Sequence, residues 1–359
     1  MEKTLPLRLG IIGCGRIAQM RHLPNLQKIK GVEVVALADS NPEALATVAG
    51  QYKVLRCFAD HRALLDDKNV DAVLVCTPPA SHFNHARNVL DSGRHLYVES
   101  PLAISVSDCE SLTELGKHSG KIATVGMNLR YHSLIQRARI CIQDGLLGPV
   151  HAITSTFSTP SRGNRGDVFP AWRDPQTVDG SVFGESALQH FDCWRTLTGA
   201  EFTEIAVQRA TVGGPVSIAA KMKGGGSDNS SPVVVGAVFS EYSGDNSEIR
   251  LLGRDGTITL SLYRYDGFSY CPAMEAQGSV GQHLRSMREG IQSFPQGISN
   301  LMQGGEYAIT FRQQLEAFVS ACKGGEPPLV SLADGKAAAV ASLAAFQSMT
   351  GGSKVEIQP

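Results

Sequence analysis

Gly13, Gly15 and Ala18 follow the apolar run of residues 7–12 and open a helical pattern. In that spacing the first glycine permits a tight turn and the second lets a pyrophosphate approach the main chain. The small third residue lets the helix pack on the strand. The N–H groups and positive end of the helix would then face phosphates. Asp39 ends a second apolar run, residues 32–38, at about the distance where a carboxylate accepts the hydroxyls of an adenosine ribose. Ser40 and Asn41 follow it with no arginine alongside. Asp39 would repel a 2′-phosphate there, so the expected cofactor is NAD rather than NADP.

Such residues need a parallel sheet to hold them. Strands are expected at residues 7–12, 32–38, 72–76, 95–99 and 121–126, and helices at 17–29, 42–51, 60–65, 80–92 and 106–119. Asn41 is the expected cap of the second helix. Near-continuous Val, Ile and Leu strands imply a sheet covered on both faces, hence an α/β fold with a doubly wound parallel sheet. Beyond residue 128 the pattern changes to a helix (133–144), a strand (150–157) and a long polar stretch (158–180). A further helix (182–197), antiparallel strand candidates (202–270) and helices at 306–322 and 334–349 complete it. The 359 residues are long enough for two domains. Residues 1–127 are the expected dinucleotide-binding domain. Residues 128–359 are the expected α+β domain for substrate and oligomer contacts, with its C-terminal helices packing back on the first.

Lys and Arg number 33 against 34 Asp and Glu, a net charge of −1, so no basic excess points to nucleic acid or anionic lipid. No apolar run approaches the roughly 18 residues of a membrane span. The first residues lack a signal-type apolar core, so a cytoplasmic location is expected. Eight scattered cysteines form no C-x-x-C pair and read as reduced packing residues, with no metal site expected.

Further segments carry a family likeness. His82 follows Thr77-Pro78-Pro79, and residues 93–103 contain Glu99-Ser100-Pro101. Asn128 and Tyr131 lie in the stretch 125–131, Trp172 and Arg173 precede a run ending in Glu185, and Gln189-His190-Phe191-Asp192 follows. As an ordered set these resemble the Gfo/Idh/MocA family, which includes glucose–fructose oxidoreductase and inositol dehydrogenase. The resemblance implies a Rossmann domain, then a domain with an open, mostly antiparallel sheet whose face often serves homo-oligomer contacts. It also implies a nicotinamide cofactor and a sugar or cyclitol hydroxyl as the reacting group. Carried over residue by residue, it places Gly13, Gly15, Arg16, Ile17, Asp39, Thr77, Pro78, His82, Glu99, Asn128, Trp172 and Arg173 at the cofactor.

The chain departs from that family where proton transfer resides. Family members usually carry Glu-Lys-Pro after the fifth strand, and the lysine assists proton transfer; here Ser100 replaces it. The family's later helix shows an aspartate and, four residues on, a histidine; those positions hold Glu185 and Gln189. His190 is adjacent, but one helical step rotates a side chain by about 100°, so it is no simple replacement. A serine hydroxyl alone has no pKa near neutrality, and an amide does not titrate. Glu185 is the remaining candidate base, its pKa raised by burial, or else it only hydrogen-bonds a hydroxyl or an arginine. Tyr131 is a candidate donor or a packed aromatic. Tyr97 shares a strand face with Glu99 and either stacks near the cofactor or fills core. His85 is expected to be solvated, Cys193 to pack, and Arg162, Arg165 and Arg173 to be solvated or to clamp an anion.

The leading expectation is an NAD-dependent oxidoreductase acting on a sugar, cyclitol or other polyhydroxy molecule. Glu99 would help shape the nicotinamide pocket, with Glu185 and Gln189 on the substrate. One alternative keeps the fold but uses NAD in glycoside cleavage, elimination or reduction of a conjugated system. The other is a non-catalytic sensor of NAD or a metabolite.

Overall fold

The computed structural model describes residues 5–159, 181–184, 186–209, 211, 214–224, 232–241, 244–275 and 278–358. Glu185, Trp172, Arg173, Arg162 and Arg165 therefore lie outside the described residues. The chain divides into two compact units, residues 1–128 with 310–339, and residues 129–309 with 340–359.

In the first unit, strands β1 (Leu7–Ile12), β2 (Val32–Ala38), β3 (Arg56–Phe58), β4 (Ala72–Val75), β5 (His95–Glu99) and β6 (Ala123–Gly126) form a parallel sheet. Its order is β3-β2-β1-β4-β5-β6. Ala72, Val73, Leu74 and Val75 are all fully buried, as a central strand covered on both faces requires. The crossovers carry helices α1 (Leu23–Leu26), α2 (Pro42–Tyr52), α3 (His61–Asp66), α4 (His82–Asp91) and α5 (Val106–His118). The chain runs outward from β1 to β3, then returns to β4 on the other side of β1. The loops after β1 and β4 thus diverge, which opens a crevice at the strands' carboxyl ends.

Local sequence explains most of these boundaries. The Asn41 side chain accepts N–H bonds from Glu43 (2.9 Å) and Ala44 (3.2 Å), with Pro42 at the first helical position. Asp60 caps α3 by accepting from the Arg62 N–H at 2.9 Å. One expectation fails in form. Instead of a single helix over 17–29, a π-helical turn (Ala18–His22) precedes the short α1. The Leu23 N–H reaches back to the Ala18 carbonyl, and the register widens just before Pro24, which has no N–H to continue an α-helical ladder.

The second unit begins with α6 (Ser133–Gln143), β7 (Val150–Ser158) and α7 (Ser186–Thr198). Strands β8 (Glu201–Arg209), β9 (Val216–Lys223), β10 (Val233–Ser240), β11 (Asn246–Gly253), β12 (Gly256–Ser261) and β13 (Phe268–Pro272) follow. Then come α8 (Val280–Met302), α9 (Glu306–Cys322), whose residues from Thr310 onward belong to the first unit, α10 (Leu332–Gly351), which belongs to the second unit from Val340, and β14 (Val355–Glu356). The eight strands form one sheet in the order β13-β12-β11-β7-β10-β9-β8-β14. It is antiparallel except where β7 and β10 run parallel, a pairing made possible by the long crossover through α7, β8 and β9. Burial alternates along β9, with Val216, Ile218, Ala220 and Met222 inward and their neighbours exposed. One face therefore packs on α7, and Trp194, Phe191 and Phe239 share its core with Ile249 and Leu251. Helix α8 has no counterpart in the sequence expectations. Among the described residues no helix is long and apolar enough to cross a membrane.

Candidate functional site

The glycine loop lies at the end of β1. Gly13 has φ +99°, and a Cβ there would sit 2.6 Å from the Cys76 carbonyl oxygen. No other residue fits that position without moving the β4 loop. Gly15 is exposed, and a Cβ there would meet nothing within 4 Å, so the main chain is open to a ligand on that side. Arg16 is exposed and Ile17 half-buried beside it, at the start of a helix whose first N–H groups have no intrahelical acceptor. The Gln19 amide clips the loop from below, donating to the Cys14 carbonyl at 2.7 Å.

Asp39 ends β2 and turns toward this loop. Its Oδ2 accepts the Cys14 N–H at 2.6 Å and its Oδ1 the Asn41 N–H at 2.7 Å. Each oxygen retains a second lone pair, and the side chain is only partly buried. An open phosphate-facing loop and a carboxylate fixed beside it fit a dinucleotide. Cys14 itself is no nucleophile, because burial first and Asp39 second push its thiol up to about 12.

Glu99 ends β5 and is held from two sides. Oε1 lies 2.5 Å from His22 Nε2 and accepts the Tyr97 hydroxyl at 3.3 Å. On β6, a Cβ at Gly126 would meet Glu99 Oε2 at 2.8 Å, so that glycine makes room for the carboxylate. His22 is fully buried, with Tyr97 and Phe311 edge-on at 5.5 and 6.3 Å. Tyr97 is core, its ring against Phe318 at 5.8 Å. Sequence reasoning missed His22. Its signal was a histidine just past the glycine turn, but its partner is 77 residues away in sequence.

Thr77 and Pro78 follow β4. His82 is buried between two carbonyls, Pro101 O at 2.6 Å from Nδ1 and Thr77 O at 2.8 Å from Nε2. It bridges the loops after β4 and β5. Burial is the main influence and lowers its pKa, while both carbonyls act in the opposite sense. His85 is not solvated. It is half-buried against Thr77 Oγ1 (3.1 Å) and the His61 ring (4.4 Å), and burial lowers its pKa to about 4. Ser100 is half-buried in the adjoining loop. Asn128 is buried and donates to Thr310 Oγ1 at 2.7 Å, a contact to the far end of the sequence that no local pattern announces.

In the second unit, α7 presents Gln189, His190 and Asp192, all buried. Asp192 accepts a bidentate pair of N–H bonds from Arg130, at 2.6 and 2.7 Å. His190 is a core histidine. Its Nδ1 lies 2.9 Å from the Ser186 carbonyl, its Nε2 3.2 Å from Ser247 Oγ, and Phe157, Phe239 and Trp194 surround the ring. Burial lowers its pKa to about 4, so at neutral pH it is uncharged. His132 caps α6, where Nδ1 accepts the Leu134 N–H at 3.2 Å and Nε2 then donates to the Leu262 carbonyl at 2.8 Å. Tyr131 is buried. Cys193 is fully buried, which raises its thiol well above the usual range. No group of three His, Cys, Asp or Glu able to hold a metal occurs among the described residues.

A sequence model of the Gfo/Idh/MocA oxidoreductases, described as a family with an NAD-binding Rossmann fold, matches residues 7–127. The chain is 27% identical over 352 residues to myo-inositol 2-dehydrogenase of Thermotoga maritima, covering 96% of each. Among solved structures, an oxidoreductase domain protein from Kribbella flavida has a TM-score of 0.81 at 20% identity, over 99% of this chain and 100% of that one. Levoglucosan dehydrogenase in complex with NADH and L-sorbose has a TM-score of 0.79 at 18% identity, over 99% and 100%. These two likenesses are of fold. Fold and glycine loop define an oxidoreductase that binds a nicotinamide dinucleotide through a Rossmann unit. Residues 7–127 carry the NAD-binding Rossmann fold of the Gfo/Idh/MocA oxidoreductases.

Proposed function

We propose that this protein is an NAD-dependent dehydrogenase of a cyclitol- or sugar-like polyol whose proton transfer does not use the family's lysine and histidine. The observation that carries the reading is the likeness to a myo-inositol 2-dehydrogenase across nearly the whole length of both chains. The open glycine loop and the oriented Asp39 support NAD over NADP, since a 2′-phosphate beside that carboxylate would be repelled. Gly13, Gly15, Arg16, Ile17 and Asp39 would hold the adenosine and pyrophosphate. Thr77, Pro78, His82, Glu99, Asn128, Trp172 and Arg173 would line the remainder.

NAD, when bound, accepts a hydride from the carbinol carbon. The protein's task is to remove the hydroxyl proton. In this reading Glu185 takes it, Gln189 and Ser100 orient the hydroxyl by hydrogen bonds, and Tyr131 shapes the pocket. A positioned base is worth about 10²–10⁴-fold in rate.

Incubation with NAD and a panel of cyclitols and sugars, followed by absorbance of the reduced nicotinamide, tests the reading. Turnover is expected, with Glu185→Gln about 10²-fold slower or worse and NAD affinity retained. No absorbance change at any pH would overturn it. Ser100 and Gln189 at the family's proton-transfer positions favour one second reading, in which bound NAD cycles internally during cleavage or elimination. Product formed without net NADH would select that reading.

A further inference from the structure

Helix α8 is amphipathic in an inverted sense. Val280, Leu284, Met287, Ile291, Phe294, Ile298 and Leu301 are all exposed, between 46% and 77%. Their spacing alternates four and three residues throughout, a 3.5-residue repeat sustained over three heptads. The polar side of the same helix faces its own unit. Arg285 pairs with Glu275, Glu289 with Arg137 at 3.2 Å, and buried Asn300 donates to Glu306 at 2.7 Å. The helix is thus held down by ion pairs and hydrogen bonds while its apolar seam stays exposed, although Phe294 meets the Tyr265 ring of its own unit edge-on at 6.1 Å.

We propose that this seam is an interface with a second copy of the chain, the two α8 helices crossing about a two-fold axis. A strict a/d repeat is self-complementary, because each knob fits a hole between four residues of an identical helix. The exposed area of the seven side chains comes to roughly 800 Å², the share one partner contributes to an interface of standard size. No charge interrupts the seam, and Arg288 stands at its edge. A lipid surface would ask for a basic outer face opposite the apolar one, whereas here that face is consumed in intramolecular pairs.

Gly290 supports the crossing. Gly281 and Gly297 are explained within the chain, since side chains there would meet Glu275 and Tyr265 at 2.7 and 2.6 Å. A side chain at Gly290 would meet nothing within 4 Å, yet glycine is the poorest helix former after proline. Gly290 flanks Ile291 at the midpoint of the seam. Two helices related by a two-fold axis there come closest at that point, where a missing Cβ permits contact. Pro295 lies beside the seam and leaves its phase unbroken.

Sedimentation equilibrium of the full-length protein with NAD present tests the proposal. The wild type is expected to self-associate. Ile291→Glu is expected to weaken that association about tenfold or more, or to halve a tetramer, with unchanged circular dichroism and Tm. Should the charged variant unfold, Gly290→Ala, a better helix former, decides the matter: weaker self-association supports the crossing and unchanged association overturns it. A wild type that stays monomeric at about 100 µM overturns the proposal. So does an oligomer whose mass Ile291→Glu leaves unchanged, or a monomer that co-sediments with phosphatidylglycerol vesicles through this helix.

Discussion

Asp39 in the first unit and Asp192 in the second are both carboxylates fixed by two short hydrogen bonds, yet they are different devices. Asp192 is 1% exposed, its two short hydrogen bonds come from the Arg130 guanidinium and Arg195 Nη1 lies 3.8 Å away, so its charge is cancelled inside the fold. Asp39 is partly exposed, and its donors are neutral main-chain amides of Cys14 and Asn41. Amides orient a carboxylate without neutralising it. A charge cancelled within the chain serves the framework, whereas a charge oriented and left uncancelled can serve a ligand.

The sharpest way to break this contrast is to remove the cation from Asp192. Arg130→Met removes both hydrogen bonds to the buried carboxylate, leaves Arg195 at 3.8 Å to offset its charge, and is expected to cost about 3–5 kcal/mol in urea unfolding. Arg130→Met with Asp192→Leu should recover most of that loss, because the penalty lies in the poorly offset charge rather than the missing bond. If the double variant is as unstable as the single one, packing rather than charge explains the pair.

A somewhat smaller effect concerns the neighbouring His190. Its folded pKa of about 4 lies below the ordinary 6.5 because the ring is buried. Between those values the unfolded chain binds the proton and the folded chain does not. Stability is therefore complete above about pH 6.5 and falls as pH drops toward 4, by up to roughly 3 kcal/mol. His85, lowered to about 4 by the same cause, loses stability in the same window in the first unit. Urea midpoints measured from pH 7 to 4 should show a shallower acid slope for His190→Gln than for the wild type. An unchanged slope would mean that His190 is already charged in the folded protein.

What could be read from the sequence divides along the same line. Gly13, Gly15 and Asp39 were legible as a spacing, because a glycine turn after one apolar run and an acid closing the next follow at fixed intervals along the chain, even though Asp39 meets Cys14 only in the fold. Asn41 and its cap were legible because the cap acts through its immediate neighbours. His22 with Glu99, and Asn128 with Thr310, were not, since each pair is joined only by the fold. His85 looked solvated because its helix position is polar on paper, whereas Thr77 and His61 close over it. The π-helical turn escaped notice because a period of 3.6 residues and one extra residue give the same apolar pattern over so short a span. Helix α8 escaped for a different reason. The segment between the last strand candidate and residue 306 carries no assignment, because its apolar repeat has Gly281, Gly290, Gly297 and Pro295 within it, which read as breaks in a helix.

The smallest predicted effect is the one that tests the contrast most directly. Asp39→Ala removes an acceptor of charge-assisted hydrogen bonds, each worth about 1.5–3 kcal/mol, and should raise the Kd for NAD by roughly tenfold to a hundredfold. The same change removes the repulsion against a 2′-phosphate, so the Kd for NADP should rise less or fall. Calorimetric titration of both coenzymes against wild type and variant separates the two effects, because mere loosening of the glycine loop through the lost Cys14 bond would weaken both equally. Equal weakening would make Asp39 a framework carboxylate like Asp192, and a changed ratio of the two affinities would confirm that its charge faces the ribose.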